Sequence, residues 1–323
     1  MGNVDPGPFL AAALGAEAGT AERIRRGAIG AIWRLSLTGH RSGTLAAKEF
    51  ITYPPEERDV ANEIALRNAA AAVGVPSPEP IAFRTGNVAM DPRTGRGWRC
   101  YDWVDGQQAA DDRETRLWLL RQLAAIHQLA RTEPAPTEHD WYLRVHADWD
   151  ALVSDVRAAG LPWAARFERL VEERVAGLAA LIADVPAGTP IWTHRDLQPA
   201  NVMVDAADGR RRLVDWDNAG GLSDWRELGS QLIHWLHSPA DLRLAYETYL
   251  TAGGSARVTG PAVFATAVAG GLNFLAEQVR RLVDPTTSDD DHDYAEGWLP
   301  GLLDEVPHPD RLIAAARLLS ERR

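Results

Sequence analysis

Three polar residues within one short stretch have the types and spacing to do chemistry. From Ile191 the chain reads Ile-Trp-Thr-His194-Arg195-Asp196-Leu-Gln-Pro-Ala-Asn201-Val-Met-Val, and after a polar turn Arg-Leu-Val-Asp215-Trp-Asp217. Asn201 follows Asp196 by five positions and Asp215 follows Asn201 by fourteen. Such a set suits one acid that takes or orients a proton and two oxygen ligands for a hard cation. Magnesium takes few protein oxygens and keeps positions open for phosphate, so an Asn–Asp pair is a sensible ligand set. Short apolar runs flank the polar loop, which predicts strand, loop, strand, turn, strand, with Asp215 at the last strand's end.

A fourth residue is marked by composition. Of 34 basic residues, Lys48 is the only lysine; all the others are arginine. A guanidinium is larger and planar, and does not easily replace a compact ammonium aimed at phosphate oxygens. Lys48 lies mid-strand in Thr44–Ile51, before a helix that opens at Glu56 and runs to about Val73.

The order His-x-Asp-x-x-x-x-Asn, followed by an acid, is that of a kinase catalytic loop and its metal-binding Asp. On these residues the chain resembles the aminoglycoside phosphotransferase family of small-molecule kinases, related to choline kinases and more distantly to protein kinases. The resemblance implies an α+β, bilobal, protein-kinase-like fold. Residues 1–104 would form a small β-rich nucleotide-binding lobe, and residues 105–323 a mainly helical catalytic and acceptor-binding lobe. It makes Asp196 the catalytic acid–base residue, Asn201 and Asp215 the magnesium ligands, and Lys48 the holder of the nucleotide's phosphates, paired with Glu63. Gly27 and Gly30, at the tip of a hairpin, would lie over the phosphates. The Asp102 carbonyl and Val104 amide would face the adenine edge. ATP or GTP with Mg2+ are the implied cofactors. His194 is expected to anchor the loop, and Asp217 to stand behind the metal ligands or in the acceptor site. His127, in a helix predicted over Arg113–Arg131, reads as a packed core residue.

The remaining features bear on the acceptor. Two helices, Trp141–Ala159 and Pro162–Asp184, are predicted ahead of the catalytic loop. Only nine positions separate Asp215 from Asp224, too few for a peptide-binding platform, so the acceptor is expected to be small. Asp224 reads as a helix N-cap, with Glu227 as its capping-box partner. Helices are also expected over Pro239–Ala252, Pro261–Val283 and Asp310–Arg323. Between the last two, Asp284–Asp310 carries nine carboxylates and no Arg or Lys. That run reads either as a solvated loop or, through Asp289, Asp290, Asp291, Asp293 and Glu296, as a binding surface for ammonium groups.

Net charge is -11, and no arginine patch is interleaved with aromatics, so nucleic acid is not an expected partner. One cysteine, Cys100, allows no internal disulfide and suits a reducing compartment. Without 18 uninterrupted apolar residues no membrane span is expected. The run Phe9–Leu14 is preceded by Asp5 and by no basic residue, unlike a secretory signal, so a cytoplasmic location is expected. The sequence carries no mark of oligomeric state. The expected activity is transfer of a γ-phosphate to a hydroxyl of a small cationic molecule, aminoglycoside-like or another basic antibiotic. A kinase of an amino alcohol, homoserine or a sugar stays open, as does a non-catalytic nucleotide-binding sensor.

Overall fold

The structure is a computed structural model that describes residues 5–129 and 134–321. The expected helix ends at Arg131 and Arg323 lie outside the described residues. In chain order the elements begin with α1 (Gly7–Leu14), β1 (Ala18–Arg26), β2 (Gly30–Thr38), β3 (Thr44–Phe50) and α2 (Glu57–Ala72). There follow β4 (Pro80–Ile81), β5 (Ala89–Met90), β6 (Gly97–Asp102), β7 (Gly106–Gln108) and α3 (Arg113–His127). Next come α4 (Trp149–Ala158), α5 (Ala164–Leu170), α6 (Ala176–Ile182), β8 (Ile191–Thr193), β9 (Val202–Asp205), β10 (Arg211–Leu213) and β11 (Gly220–Leu222). The last helices are α7 (Asp224–Leu232), α8 (Pro239–Thr251), α9 (Ala265–Val283), α10 (Asp289–Glu305) and α11 (Pro309–Ser320). This is the expected α+β class.

Contacts divide the chain into two units. The first runs to Thr115 and takes up Gln198–Ala219; the second comprises Arg116–Leu197 and the chain from Gly220 onward. The interruption has a local cause. β9 pairs antiparallel with β10 on one side and β7 on the other, which ties residues 198–219 to the first unit.

The first unit is built on an antiparallel sheet of order β1-β2-β3-β6-β4, with β5 also paired to β6. Alternation decides its faces: Ala31, Trp33 and Leu35 of β2 are buried, while Arg34 and Ser36 are exposed. They pack with Leu45, Ala47, Trp98, Cys100 and Leu10 of α1 into one apolar cluster. Arg99 and Tyr101 alternate with Trp98 and Cys100, so they take the opposite face. Gly30 is required where β2 meets β3, because a Cβ there would stand 2.0 Å from the Glu49 carbonyl oxygen.

The second unit is helical. α9 is its long core helix, with Leu275, Ala276, Val279 and Leu282 packed among Leu152, Val156, Phe167, Leu170 and the α10 residues Ala295, Leu299 and Leu303. By length and composition Pro261–Val283 would pass as a membrane span, contrary to expectation, with hydropathy 1.3 over its most apolar window. That window is 67% buried, so its apolar residues are those of a core helix.

Three local expectations are corrected. Residues 1–21 read by sequence as a helix or loose extension, but residues 18–21 already belong to β1. The acidic run is not a loop: Asp289–Glu305 is α10, capped by Ser288, whose hydroxyl accepts from the Asp291 amide. Asp289, Asp290 and Asp291 stand in its first turn, where the helix dipole favours carboxylates. The N-cap of α7 is Ser223 rather than Asp224, and Glu227 is used elsewhere.

Candidate active site

Lys48 sits in the middle of β3, directly opposite Arg99 of β6. It is 8% exposed, and its ammonium pairs with Asp215 and, at 2.6 Å, with Asp217. Burial opposes an ammonium here, but the two carboxylates outweigh it and hold Lys48 above the usual lysine range. Burial likewise pushes Asp217 well above the usual carboxylate range; Asp215 adds to this and Lys48 offsets it in part. Asn201 is buried just before β9, and its carbonyl accepts the Val214 amide at 2.9 Å. That bond brings the backbones of Asn201 and Asp215 together. An amide oxygen and a carboxylate are hard donors of the kind that fit magnesium.

Arg195 and Asp215 are the only non-glycine residues with positive φ among the described residues, at 64° and 63°. Left-handed backbone costs a residue such as Arg195 about 1–2 kcal/mol, less for an aspartate, and persists only where the surroundings impose it. One of them precedes Asp196 and the other is a proposed metal ligand.

The expected Lys48–Glu63 pair is not formed. Glu63, 3% exposed on α2, pairs bidentately with Arg99 and accepts the Tyr101 hydroxyl at 2.6 Å. A planar guanidinium matches both carboxylate oxygens at once, which an ammonium cannot do. Arg99 is 3% exposed and ion-paired with this acid. Arg99 and Tyr101 were not among the residues expected at the site.

The catalytic loop is held from α7. Glu227 accepts the Arg195 amide at 2.7 Å, the Thr193 hydroxyl, and a bond from His127 Nε2 at 2.9 Å. One turn later, Gln231 donates to the Leu197 carbonyl at 2.7 Å. Two side chains of one helix face thus grip the backbone on both sides of Asp196. His127 is a core residue, as expected, with Tyr249 2.9 Å from its Nδ1. His194 is fully buried, and its Nδ1 accepts the Asp196 amide at 3.3 Å. The Arg195 guanidinium lies 5.0 Å from the Tyr142 ring centre and packs where a Cβ on Gly220 would stand. Gln231 was not foreseen; its spacing of four from Glu227 was the available signal.

Burial opposes the Glu227 carboxylate, but His127, Thr193 and the Arg195 amide more than compensate, so its pKa falls below the usual 4.5. A group with a depressed folded-state pKa stabilises above its unfolded value and loses that contribution as pH falls through the folded value. Glu227→Gln should therefore lower the melting temperature at neutral pH, each group left unpaired costing about 1–3 kcal/mol. The gap from wild type should close on acidification below about 4.5. A gap unchanged from pH 7 to pH 3, measured by thermal unfolding, would contradict the role of the ionised carboxylate.

Gly27 and Gly30 stand at the tip of the β1–β2 hairpin, where the Gly27 amide donates to the Gly30 carbonyl at 2.7 Å. On the same hairpin Arg25 reaches Gln108 at 3.0 Å and the Ala200 carbonyl at 3.5 Å, next to Asn201. Asp102 ends β6, and Val104 is buried just beyond it. Asp289, Asp290, Asp293 and Glu296 are exposed on α10, and Asp291 is half-buried there.

Comparison with known proteins bears on the family and the fold. A family model described as the phosphotransferase enzyme family matches residues 20–258. No curated protein sequence matches the chain. Among solved structures, a spectinomycin phosphotransferase in complex with ADP and spectinomycin aligns over 96% of this chain and 97% of its own. Its TM-score is 0.64 at 14% identity. An aminoglycoside phosphotransferase from Alicyclobacillus acidocaldarius covers 93% of each chain, with TM-score 0.58 and 15% identity. A microcompartment-associated aminopropanol kinase covers 93% of this chain and 94% of its own, with TM-score 0.56 and 14% identity. These likenesses establish a shared fold. Because the family match spans most of the chain and includes Lys48, Asp196, Asn201 and Asp215, the chain belongs to the phosphotransferase enzyme family.

Proposed function

We propose that this chain transfers the γ-phosphoryl group of ATP or GTP to a hydroxyl of a small, cationic acceptor. The observation that carries the reading is the convergence of the sole lysine with Asp215 and Asp217, beside a backbone bond that joins Asn201 to Val214. In the transfer, the acceptor oxygen forms a bond to the γ-phosphorus, the bond to the β-phosphate oxygen breaks, and the nucleoside diphosphate leaves. Asp196 receives or orients the hydroxyl proton. Lys48 meets the phosphate oxygens, and the Arg25-anchored hairpin, with Gly27 and Gly30, covers them. The backbone between β6 and β7, at Asp102 and Val104, takes the adenine edge. Magnesium, held by Asn201 and Asp215, would supply positive charge to the phosphates. In a loose transition state positioning and charge neutralisation do most of the work, so gripping the loop at Arg195 and Leu197 is itself catalytic design.

A panel of hydroxyl acceptors tests this directly, read by mass gain of one phosphoryl group in the presence of ATP and magnesium. Aminoglycosides and amino alcohols belong in it, because the structural neighbours include kinases of both kinds. Nucleotide binding with no phosphorylated product from any acceptor would favour a non-catalytic sensor.

The cationic character of the acceptor rests on the net charge of -11 and on the carboxylates along α10. Exposed ion pairs contribute only about 0.2–1 kcal/mol each, so several must act together. Replacing Asp289, Asp290, Asp291 and Asp293 together by Asn should raise the acceptor's KM several-fold and flatten its dependence on salt. The KM for ATP should hardly move. Unaltered acceptor kinetics would leave these acids as first-turn stabilisers of α10.

A further inference from the structure

The ion pairs around Lys48 are redistributed relative to what the catalytic motifs lead one to expect. Both oxygens of Glu63 are engaged. One accepts from Arg99 and from the Tyr101 hydroxyl, and the other accepts from the second guanidinium nitrogen. Arg99 faces Lys48 in register across β3 and β6, so two buried cations stand side by side. Glu63 neutralises one of them. The other, Lys48, is neutralised from the turn after β10, by Asp215 and Asp217.

The two carboxylates on Lys48 differ. The Asp215 side chain is 30% exposed, whereas that of Asp217 is 9% exposed. On the reading above, Asp215 is also a metal ligand, and a carboxylate drawn to a divalent ion is a weaker partner for an ammonium. Asp217 then remains as the anchor. It sits one residue beyond the buried Trp216, in a single helical turn over Trp216–Asn218 that packs against α2. We propose that Asp217 is the positioning residue for Lys48, holding its ammonium in place when Asp215 turns to the metal, while Glu63 serves Arg99 and takes no part. The inference rests on the phosphotransferase reading only for the purpose of Lys48, not for the contacts.

Because Lys48 is the only lysine, a protein grown with 15N-labelled lysine reports this site as a single ammonium signal by NMR. A held ammonium exchanges its protons slowly enough to be seen. With magnesium and a non-hydrolysable ATP analogue bound, so that Asp215 is drawn to the metal, Asp217→Asn should speed that exchange by about tenfold or more, as loss of a charge-assisted hydrogen bond permits. Glu63→Gln should leave the signal as in wild type and chiefly lower the melting temperature. Asp217→Glu should restore protection, a rescue that a merely structural role would not give. Adding magnesium and a non-hydrolysable ATP analogue should preserve the signal in Glu63→Gln. Loss of the signal in Glu63→Gln, or its persistence in Asp217→Asn, overturns the proposal. Should Asp217→Asn not fold, the Glu63→Gln signal decides alone, in either direction. Absence of nucleotide binding in every protein, wild type included, would instead count against the phosphotransferase reading and leave the Glu63→Gln result standing.

Discussion

Asp196→Asn should lose phosphoryl transfer by about 10²–10⁴-fold, the usual contribution of a positioned general base. Its affinity for nucleotide should be nearly unchanged. The split follows from where the residue stands. Asp196 lies on the loop whose backbone is fixed at Arg195 by Glu227 and at Leu197 by Gln231, and its own amide is bound to His194. None of those bonds uses the Asp196 carboxylate. An isosteric amide keeps the shape of the side chain and those backbone bonds, and removes the carboxylate proposed to take the proton. The cluster of Lys48, Asp215 and Asp217, proposed to serve the nucleotide, is untouched. Turnover with a surviving acceptor and calorimetric titration with ATP together check the prediction. Wild-type turnover in Asp196→Asn would remove Asp196 from the mechanism. Loss of nucleotide affinity in step with turnover would make it a nucleotide ligand instead.

How much of this was legible in the sequence depends on how local each signal is. Asp196, Asn201 and Asp215 stood out as candidates because their types recur over a short span between apolar strands. Lys48 stood out as a candidate because an arginine-rich chain keeps one ammonium there, and the structure places it against Asp215 and Asp217. The Glu63 pairing could not be read. It depends on the register that sets Arg99 opposite Lys48 across β3 and β6, and no local pattern specifies register between strands so far apart in the chain. Alternation alone does place Arg99 and Tyr101 on the face opposite Trp98 and Cys100, so their candidacy was visible even though their partner was not. Glu227 shows the converse error. It fits a capping box three residues after Asp224, yet the structure uses it to bind Thr193, Arg195 and His127. A long-range network that satisfies several buried groups overrides a local motif that would satisfy one. In α10 the acids and Pro300 hid the helix. Its true signal was the sparse stripe of Ala295, Leu299 and Leu303, which are buried at helical spacing against the second unit's core.

Asp215→Ala should abolish turnover and weaken binding of magnesium-ATP by about 10–100-fold or more, since losing even an outer partner of a metal ligand typically costs that much. The effect on the fold should be small, for a reason specific to this cluster. Two carboxylates and one ammonium leave an excess of negative charge in a largely buried space, and Asp215 is one of the groups that pushes Asp217 away from its ionised form. Removing Asp215 leaves Lys48 and Asp217 as a matched pair at 2.6 Å. Against that relief stands the backbone. Position 215 has φ 63°, where a non-glycine residue such as alanine is strained by about 1–2 kcal/mol. Aspartate and asparagine tolerate that region better, so Asp215→Asn isolates the loss of charge from the backbone cost. The melting temperature of Asp215→Asn should equal or exceed that of wild type, with Asp215→Ala somewhat below it. Both variants should lose turnover, and metal-free ATP should bind each of them at least as well as it binds wild type. Unchanged affinity for magnesium-ATP in Asp215→Ala would show that the residue is no metal ligand. A steep fall in melting temperature in Asp215→Asn would show instead that its ion pair with Lys48 is a structural one.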